Sequence, residues 1–310
     1  MAIPNRLIFI WFGREFPYGN ILALRSAQKQ CRPDEILLVV DHPNEVLGCL
    51  GSLAEWPEMK IVRASPDWFE DLPPGGTLAS EVFEKSSHAP TKSNLLRLAV
   101  LYHSGGVYLD FDTITVRDLS PLRQGEGFFG LERVVFPFSF LARKNPLKWI
   151  SAGLLLLLRE LCARLPGGWK IFRRMEGMYP LAANNAIFGF EPRHPFLARC
   201  FLNLTAVPRA QLYRRFRLGT HLLQEVSQNQ SGQTISAHPP SAFFPLGPEI
   251  SNHWFLPGTA KSLPKMISDQ TFIVHWYNSV ESRFLKEPLT RDWLSKHEDS
   301  AIAELVRRFC

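Results

Sequence analysis

Two aspartates, Asp110 and Asp112, stand two residues apart at the end of an apolar run that begins at Val107. Side chains of a strand alternate between its two faces, so Tyr108, Asp110 and Asp112 are predicted to share one face. Neighbouring carboxylates repel each other and resist burial, and a divalent cation bound between them would remove both costs. The spacing therefore predicts a metal site that holds a diphosphate.

The segment before this strand is apolar on nearly all sides from residue 91 to residue 104, which predicts an interior helix that ends at Gly105. Asn94 and Arg97 are three residues apart and therefore share one face of that helix. A buried arginine requires an anion or several hydrogen-bond acceptors. We expect Arg97 to meet a phosphate or sugar oxygen of a ligand, and the structural alternative is an ion pair with Asp110.

Three other residues stand at the ends of strand-like runs. Trp11 belongs to the apolar run at residues 7–13, and its ring either fills the core or stacks on a nucleobase. His275 ends a late apolar run, and it joins the site only if its loop folds over the aspartate pair. Asn185 opens the apolar run at residues 186–190, where turn capping is the default role of an amide.

The order of elements predicts an α/β fold. Residues 7–13 and 34–40 are continuous apolar runs typical of buried strands, and residues 20–30 between them have helical spacing. Strand, helix and strand in this order indicate a parallel sheet. Residues 113–117 alternate threonine with apolar side chains, so we expect them to extend the strand at 107–111.

The second half of the chain is expected to be largely helical at first and then irregular. Residues 146–178 have a helical pattern, and the five successive leucines at 154–158 predict burial on more than one face. Residues 236–264 are rich in proline, glycine and aromatic residues, which predicts an ordered loop region.

Composition limits the class of protein. The 310 residues are 45% hydrophobic and 21% charged, an ordinary globular balance, and the net charge of +6 favours acidic ligands such as nucleotides, phosphates or anionic membrane surfaces. Five scattered cysteines with no metal spacing indicate reduced thiols and a cytoplasmic protein. The uncharged apolar run at residues 149–158 is shorter than the ~20 residues that span a bilayer.

A basic segment at residues 209–217 interleaves arginines with aromatic side chains. Such a surface is typical of contacts with nucleic acid or with an anionic membrane. Because no nucleic-acid fold signature accompanies it, we expect no nucleic-acid partner, and we expect a peripheral membrane or anionic acceptor contact instead.

Five motifs follow one another along the chain: IWFG at 10–13, SNLLR at 93–97, GGVYLDFD at 105–112, NA at 185–186 and HW at 275–276. In type and order they resemble those of the DXD-motif glycosyltransferases. That family includes lactosylceramide α-1,4-galactosyltransferase, initiating α-1,6-mannosyltransferases and the glucosyltransferase domains of large clostridial toxins.

The resemblance implies a GT-A fold, which is a nucleotide-sugar-binding α/β sandwich around a mixed, mainly parallel sheet. Residues 1–310 would form a single domain, with a nucleotide-binding part at about 1–120 and an acceptor-side part at about 121–310. It also implies Mn²⁺ or Mg²⁺, a nucleotide-sugar donor linked to UDP or GDP, and retention of the anomeric configuration.

Residue roles follow from the same resemblance. Asp110 and Asp112, with His275, would hold the metal, and Arg97 would act with the two aspartates in catalysis. Trp11 would stack on the base of the donor. The residues expected to contact the donor are Trp11, Asn94, Arg97, Tyr108, Asp110, Asn185 and His275. The family usually has an aspartate where this chain has Asn94, which leaves the donor sugar open.

The function expected is transfer of a hexose or N-acetylhexosamine to an acceptor hydroxyl of a glycan, glycolipid or protein, in surface polysaccharide or glycolipid synthesis. A bacterial effector that glycosylates a host protein is an alternative. A phosphatase of the haloacid-dehalogenase type, with Asp110 as nucleophile, is a second alternative. That enzyme needs a later acidic pair at a strand end, and the aspartates after Asp118 show none.

Overall fold

A computed structural model describes residues 2–135, 146–214, 216–228, 235–248, 250–278, 284–285 and 287–310. The strands are β1 (Arg6–Trp11), β2 (Glu35–Val40), β3 (Met59–Arg63), β4 (Gly106–Leu109), β5 (Thr113–Thr115), β6 (Gly127–Arg133), β7 (Leu181–Phe190), β8 (Ile235–His238) and β9 (Ile273–His275). The α-helices are α1 (Tyr18–Cys31), α2 (Pro43–Leu50), α3 (Gly76–Lys85), α4 (Ala89–Ser104), α5 (Pro146–Arg164), α6 (Gly168–Met175), α7 (Pro195–Thr205), α8 (Leu222–Gln228), α9 (Pro240–Phe243), α10 (Leu263–Met266), α11 (Arg291–Lys296) and α12 (Ala301–Phe309).

Seven strands form one sheet in the order β3-β2-β1-β4-β7-β6-β8. Strand β7 is antiparallel to both of its neighbours, while the other neighbouring pairs are parallel. The predicted α/β architecture with a mixed, mainly parallel sheet is confirmed. Strands from both sides of residue 120 join this sheet, and the assignment of nucleotide and acceptor to the two parts of the chain stays a prediction.

The sheet buries side chains on both faces, as its continuous apolar strands predict. On β1, Leu7 and Phe9 belong to the core cluster that includes residues of α1 and α2. The alternate residues Ile8 and Ile10 belong to the cluster on the opposite face, which includes residues of α3 and α4. Helix α4 ends at Gly105, whose φ of 60° lies in the left-handed region that glycine tolerates.

The chain turns where the sequence predicts a continuous strand from 107 to 117. Strand β4 ends at Leu109, and the Asp110 amide still donates to the Ala186 carbonyl at 2.8 Å. The Thr113 hydroxyl then donates to the Asp110 carbonyl at 2.6 Å and closes a turn. Strand β5 pairs with β9 in a separate two-stranded sheet, in which Thr113 is opposite His275. The expectation of a simple strand extension is therefore wrong.

The predicted helix at 146–178 is two helices, because the chain breaks between α5 and α6 at Gly167, whose φ is 71°. The predicted burial of the leucines at 154–158 is also wrong: Leu154 is 63% exposed and Leu157 is 57% exposed. Within the described residues, no helix is both long and apolar enough to span a membrane.

Apart from the end of β8, the described residues of 236–264 have little regular structure beyond short helices, as predicted. They are nevertheless ordered by their aromatic side chains, since Phe243, Phe244, Trp254 and Phe255 are all buried in the core. Hydrophobic burial of this kind can hold an irregular segment in place without a ladder of backbone hydrogen bonds.

Candidate active site

Asp110 lies at the carboxyl end of β4, where ligand sites of open α/β sheets are found. Its Oδ1 accepts a hydrogen bond from the Tyr108 hydroxyl at 2.5 Å and lies 3.2 Å from Nη2 of Arg97. The guanidinium of Arg97 is also stacked on the Tyr108 ring, 4.2 Å from its centroid. One carboxylate oxygen is thus held by a phenol and a cation that pack on each other.

Asp112 lies beyond the turn and is held by the β9 end of the small sheet. Its Oδ1 is 3.1 Å from Nε2 of His275, and its Oδ2 accepts from the Asn278 amide at 2.9 Å. The Asp112 carbonyl also accepts from the Trp276 amide at 2.9 Å. The pairing of β5 with β9 therefore brings His275 to the aspartate pair. From the sequence, the approach of His275 depended on whether the loop that carries it folds over the aspartates.

The two carboxylates differ electrostatically. Burial raises the pKa of Asp110, the Asp112 charge adds to that effect, and Arg97 opposes it. Burial alone would raise the pKa of Asp112 too, but His275 and the Asn278 amide outweigh it and hold that pKa below its usual range. In return, although burial opposes it, the Asp112 charge raises the pKa of His275.

Asp110, Asp112 and His275 each present a ligand atom, and these three atoms lie within 4.8 Å of one another. Two carboxylate oxygens and an imidazole nitrogen form a donor set that a divalent cation such as Mn²⁺ accepts. The His275 Nδ1 is buried with no hydrogen-bond partner, so the Asp112 contact is the main restraint on this ring's polar atoms. The residues present fit the predicted metal site.

The two aspartates lie on the wall of a cavity of about 880 Å³. A cavity of this size is typical of small-molecule sites. Trp11 and Arg97 also line it, whereas Tyr108 and His275 are buried and hold the aspartates from behind. Further lining residues that sequence reasoning did not single out are Phe16, Tyr18, Asn20, Ser93, Asn278 and Thr290.

Trp11 is partly exposed to this cavity, and its indole nitrogen donates to the Glu15 carbonyl at 2.8 Å. The rings of Phe16 and Phe111 meet it in edge contacts at 6.1 Å and 5.8 Å between centroids. Such contacts fix the orientation of the indole at the cavity wall. Its place is compatible with stacking on a base, and that role stays a prediction.

Arg97 is 5% exposed and is held almost entirely by protein atoms. Besides the contact with Asp110, its Nε donates to the Ser93 carbonyl at 3.2 Å and its Nη1 to the Asn185 carbonyl at 2.6 Å. Its Nη2 also donates to the Ser93 hydroxyl at 2.9 Å. The structural alternative, an ion pair with Asp110, is therefore present, and a contact between Arg97 and the donor stays a prediction.

Asn94 and Asn185 meet each other rather than the large cavity. The Asn185 side-chain amide donates to Oδ1 of Asn94 at 2.8 Å. Both side chains line a second cavity of only about 10 Å³ beneath Gly219. A cavity of that volume is too small for a sugar. Their predicted role in donor binding thus has no direct geometric support, and the structure places them as neighbours of Arg97.

A buried acidic residue that sequence reasoning missed lies behind the site. The Tyr277 hydroxyl and the Asn184 side-chain amide, the latter at 2.6 Å, both donate to the carboxylate of Glu132. Tyr277 has a φ of 59°, in the region that side chains other than glycine rarely adopt. In the sequence, the signal for this residue is a glutamate within the largely apolar strand β6. Such a pattern does not tell which side chains donate hydrogen bonds to it.

The basic segment at 209–217 is partly neutralised within the chain. Arg209 lies 3.2 Å from Glu81, and the buried Arg217 lies 2.7 Å from Glu225. Arg215 is outside the described residues. The expectation of a membrane contact at this segment stays a prediction.

The mixed, mainly parallel sheet with paired aspartates after β4 has the GT-A-type fold of solved glycosyltransferases. Residues 23–129, which include the DFD motif, match the family described as the glycosyltransferase sugar-binding region containing the DXD motif. The match covers about a third of the chain, from within α1 to β6.

The chain is similar to several other proteins. It is 27% identical over 247 residues to the Arabidopsis thaliana protein named Uncharacterized protein At4g19900; the match covers 74% of this chain and 31% of that protein, so the chain spans about a third of that relative. Mouse xyloside xylosyltransferase 1, in its apo form, matches over 89% of this chain and 98% of its own, with a TM-score of 0.50 and 12% identity. The ligand-free glycosyltransferase domain of the YGT toxin covers 100% of both chains, with a TM-score of 0.46 and 11% identity.

Proposed function

We propose that this protein transfers a hexose or N-acetylhexosamine from a UDP- or GDP-linked donor to an acceptor hydroxyl, with retention of the anomeric configuration. The observation that carries the proposal is the convergence of Asp110, Asp112 and His275 within 4.8 Å beside the 880 Å³ cavity. The match of residues 23–129 to a family of sugar transferases supports the same reaction class.

Asp110, Asp112 and His275 would hold Mn²⁺ or Mg²⁺. A cation bound there would offset the negative charge that develops on the departing diphosphate. The protein prepares this site without it: Arg97 and Tyr108 orient Asp110, while His275 and the Asn278 amide orient Asp112. Ligands held in advance by such contacts lose little freedom when the donor arrives.

The donor would lie along the cavity with its base on Trp11 and its diphosphate near the aspartates. During transfer, the bond between the anomeric carbon and the diphosphate oxygen breaks, and its electron pair leaves with the diphosphate. The acceptor oxygen forms the new bond and releases its proton to the departing diphosphate or to solvent. The guanidinium of Arg97, at the cavity wall, adds positive charge near the leaving group.

We assign the reaction to surface polysaccharide or glycolipid synthesis in the cytoplasm, with a glycan or glycolipid as the acceptor. Acceptor assays separate this role from glycosylation of a protein. Transfer to a lipid-linked or soluble glycan supports the assignment, and transfer to protein side chains alone contradicts it.

The test is a thermal-shift measurement with UDP or GDP in the presence and absence of Mn²⁺, followed by a screen of nucleotide sugars for metal-dependent hydrolysis. We expect one nucleotide to raise the melting temperature only when the metal is present, because a ligand that binds the folded state alone stabilises it. Asp112→Asn should abolish that rise. Asp269→Asn is the matched control, since Asp269 is exposed and remote from the cavity-lining residues. A folded protein that shifts with no nucleotide would contradict the proposal.

The same screen tests the phosphatase alternative. A nucleophilic Asp110 predicts metal-dependent release of phosphate from a generic phosphate ester that survives Asp112→Ala but is lost in Asp110→Asn. The glycosyltransferase proposal predicts no release from such an ester and loss of sugar-nucleotide hydrolysis in both variants.

A further inference from the structure

An exposed line of large aliphatic side chains runs along α5 and is not part of the site. Leu147, Ile150, Leu154, Leu157 and Leu161 follow one another at intervals of three, four, three and four residues. At 3.6 residues per turn these intervals place the five on one side of the helix. Each is between 51% and 73% exposed. We refer to these five residues as the apolar stripe, which extends for about 21 Å along the helix axis.

The orientation of this helix is set by its opposite side. Ala152, Arg159, Cys162 and Ala163 are buried, and the guanidinium of Arg159 donates to the Arg133 carbonyl at 3.3 Å. That guanidinium also packs on the Tyr179 ring, 5.5 Å from its centroid. Because a buried cation with these contacts cannot turn outward at low cost, the apolar stripe stays on the surface.

A contiguous exposed aliphatic surface of this kind marks a binding surface for a membrane or another protein. Trp149 and Leu156, at 46% and 38% exposed, add apolar surface on a separate flank of the helix, beyond Glu160. The exposed charged residues of the same helix are Glu160 and Arg164, which are paired at 2.7 Å and so neutralise each other. The outer face of α5 therefore offers hydrocarbon with almost no net charge.

The next helix, which packs against α5, carries exposed positive charge. Helix α6 packs against α5 and carries the exposed cations Lys170 and Arg174, together with the exposed Ile171. An apolar helix face with an exposed lysine and arginine on the adjoining helix fits a bilayer with anionic headgroups, into which the aliphatic side chains insert while the cations meet the headgroup phosphates. A second copy of this chain fits less well, because a symmetric contact would bring the same cations together.

We infer that α5 docks the protein on an anionic lipid surface, with the apolar stripe inserted below the headgroups and the cations of α6 against them. This surface is distinct from the basic segment at 209–217, and the inference does not depend on the proposed function.

The test is co-sedimentation of the full chain with phosphatidylcholine vesicles that either contain or lack phosphatidylglycerol, at low and high salt. We expect binding to the anionic vesicles that weakens but persists at high salt, because apolar insertion is not screened by ions. The double variant Leu154→Ser/Leu157→Ser should lower the partition coefficient at least about tenfold. Lys170→Glu/Arg174→Glu should remove the preference for anionic vesicles.

The matched control is Leu47→Ser/Leu202→Ser, which changes two leucines that are 49% and 50% exposed on α2 and α7. It should bind as the unmodified protein does. Equal melting temperatures of the two leucine double variants show that folding is preserved. The inference is overturned if the unmodified protein does not bind vesicles, or if the apolar-stripe variant binds equally well. It is also overturned if size-exclusion light scattering shows a dimer that only the apolar-stripe variant loses. Vesicle binding needs no nucleotide, so its failure leaves the proposed function standing.

Discussion

The Tyr277 hydroxyl donates a hydrogen bond to the buried carboxylate of Glu132, and this contact ties the segment after β9 to strand β6 of the large sheet. His275, the last residue of β9, and the Asn278 amide on either side of Tyr277 both hold Asp112. The rings of His275 and Tyr277 also pack at 4.1 Å between centroids. Glu132 thus positions a predicted metal ligand that it does not touch.

Removing this hydroxyl should therefore weaken both folding and metal binding. Tyr277→Phe leaves the Glu132 carboxylate with the Asn184 amide as its remaining side-chain donor, and we expect a loss of about 1–3 kcal/mol in the free energy of unfolding. The Mn²⁺-dependent thermal shift with nucleotide should also fall. Tyr213→Phe, which removes the hydroxyl of an exposed tyrosine, is the control. A Tyr277→Phe protein with reduced stability and an unchanged metal-dependent shift would show that the contact is structural only.

The ion pair between Arg97 and Asp110 should be measurable without any ligand. Arg97→Met leaves Asp110 without its cation and the Asn185 carbonyl without its donor, so we expect a loss of about 3 kcal/mol or more in urea unfolding. Asp110→Asn in the same background should restore part of that loss, with a coupling of about 1–3 kcal/mol in the double-mutant cycle. If Arg97 served only to bind the donor, Arg97→Met would leave the stability of the ligand-free protein unchanged.

The close approach of Gly219 to the two asparagines predicts a steric effect. A Cβ at Gly219 would lie 2.8 Å from the Asn94 amide nitrogen and 3.0 Å from that of Asn185, so Gly219→Ala must displace one of them. We expect a loss of about 1–3 kcal/mol. Gly153→Ala is the matched control, because a Cβ there meets nothing within 4 Å, and in a helix it should add up to about 1 kcal/mol. Chemical denaturation of both variants checks the sign, and equal effects would contradict the predicted clash.

Stability should fall in mild acid because of His194. This residue is 4% exposed, and its Nδ1 accepts from the Phe196 amide at 3.1 Å at the start of α7. Burial lowers the pKa of His194 below its ordinary 6.5, although Glu126 and Glu191 oppose the effect. The unfolded chain then binds a proton more readily than the folded one. Stability is full above pH 6.5 and is lost as the pH falls towards the folded pKa.

The measurement is the melting temperature from about pH 7.5 to about pH 5.5. His194→Asn should show a smaller fall, because its amide oxygen can accept the same hydrogen bond without titrating. His42→Asn, at a more exposed histidine, should behave as the unmodified protein does. An identical pH dependence in the unmodified protein and His194→Asn would show that other groups cause the loss.

The placement of Asp110 could be predicted from the sequence because it depends on local geometry. Side chains alternate along β4, so Tyr108 and Asp110 share one face whatever the rest of the chain does. The preceding helix ends at Gly105 because glycine can adopt the positive φ that terminates a helix. The continuous apolar runs of β1 and β2 likewise indicated a sheet covered on both faces.

The separate sheet of β5 and β9, the meeting of His275 with Asp112 and the anchoring of Tyr277 on Glu132 were decided only by the tertiary structure. Each joins residues far apart in the chain, and many partners are compatible with the same local pattern until packing selects one. Exposure of the α5 leucines has the same origin. An apolar helix face predicts that something covers it, and only the arrangement of the other elements leaves Leu154, Leu157 and Leu161 between 51% and 63% exposed.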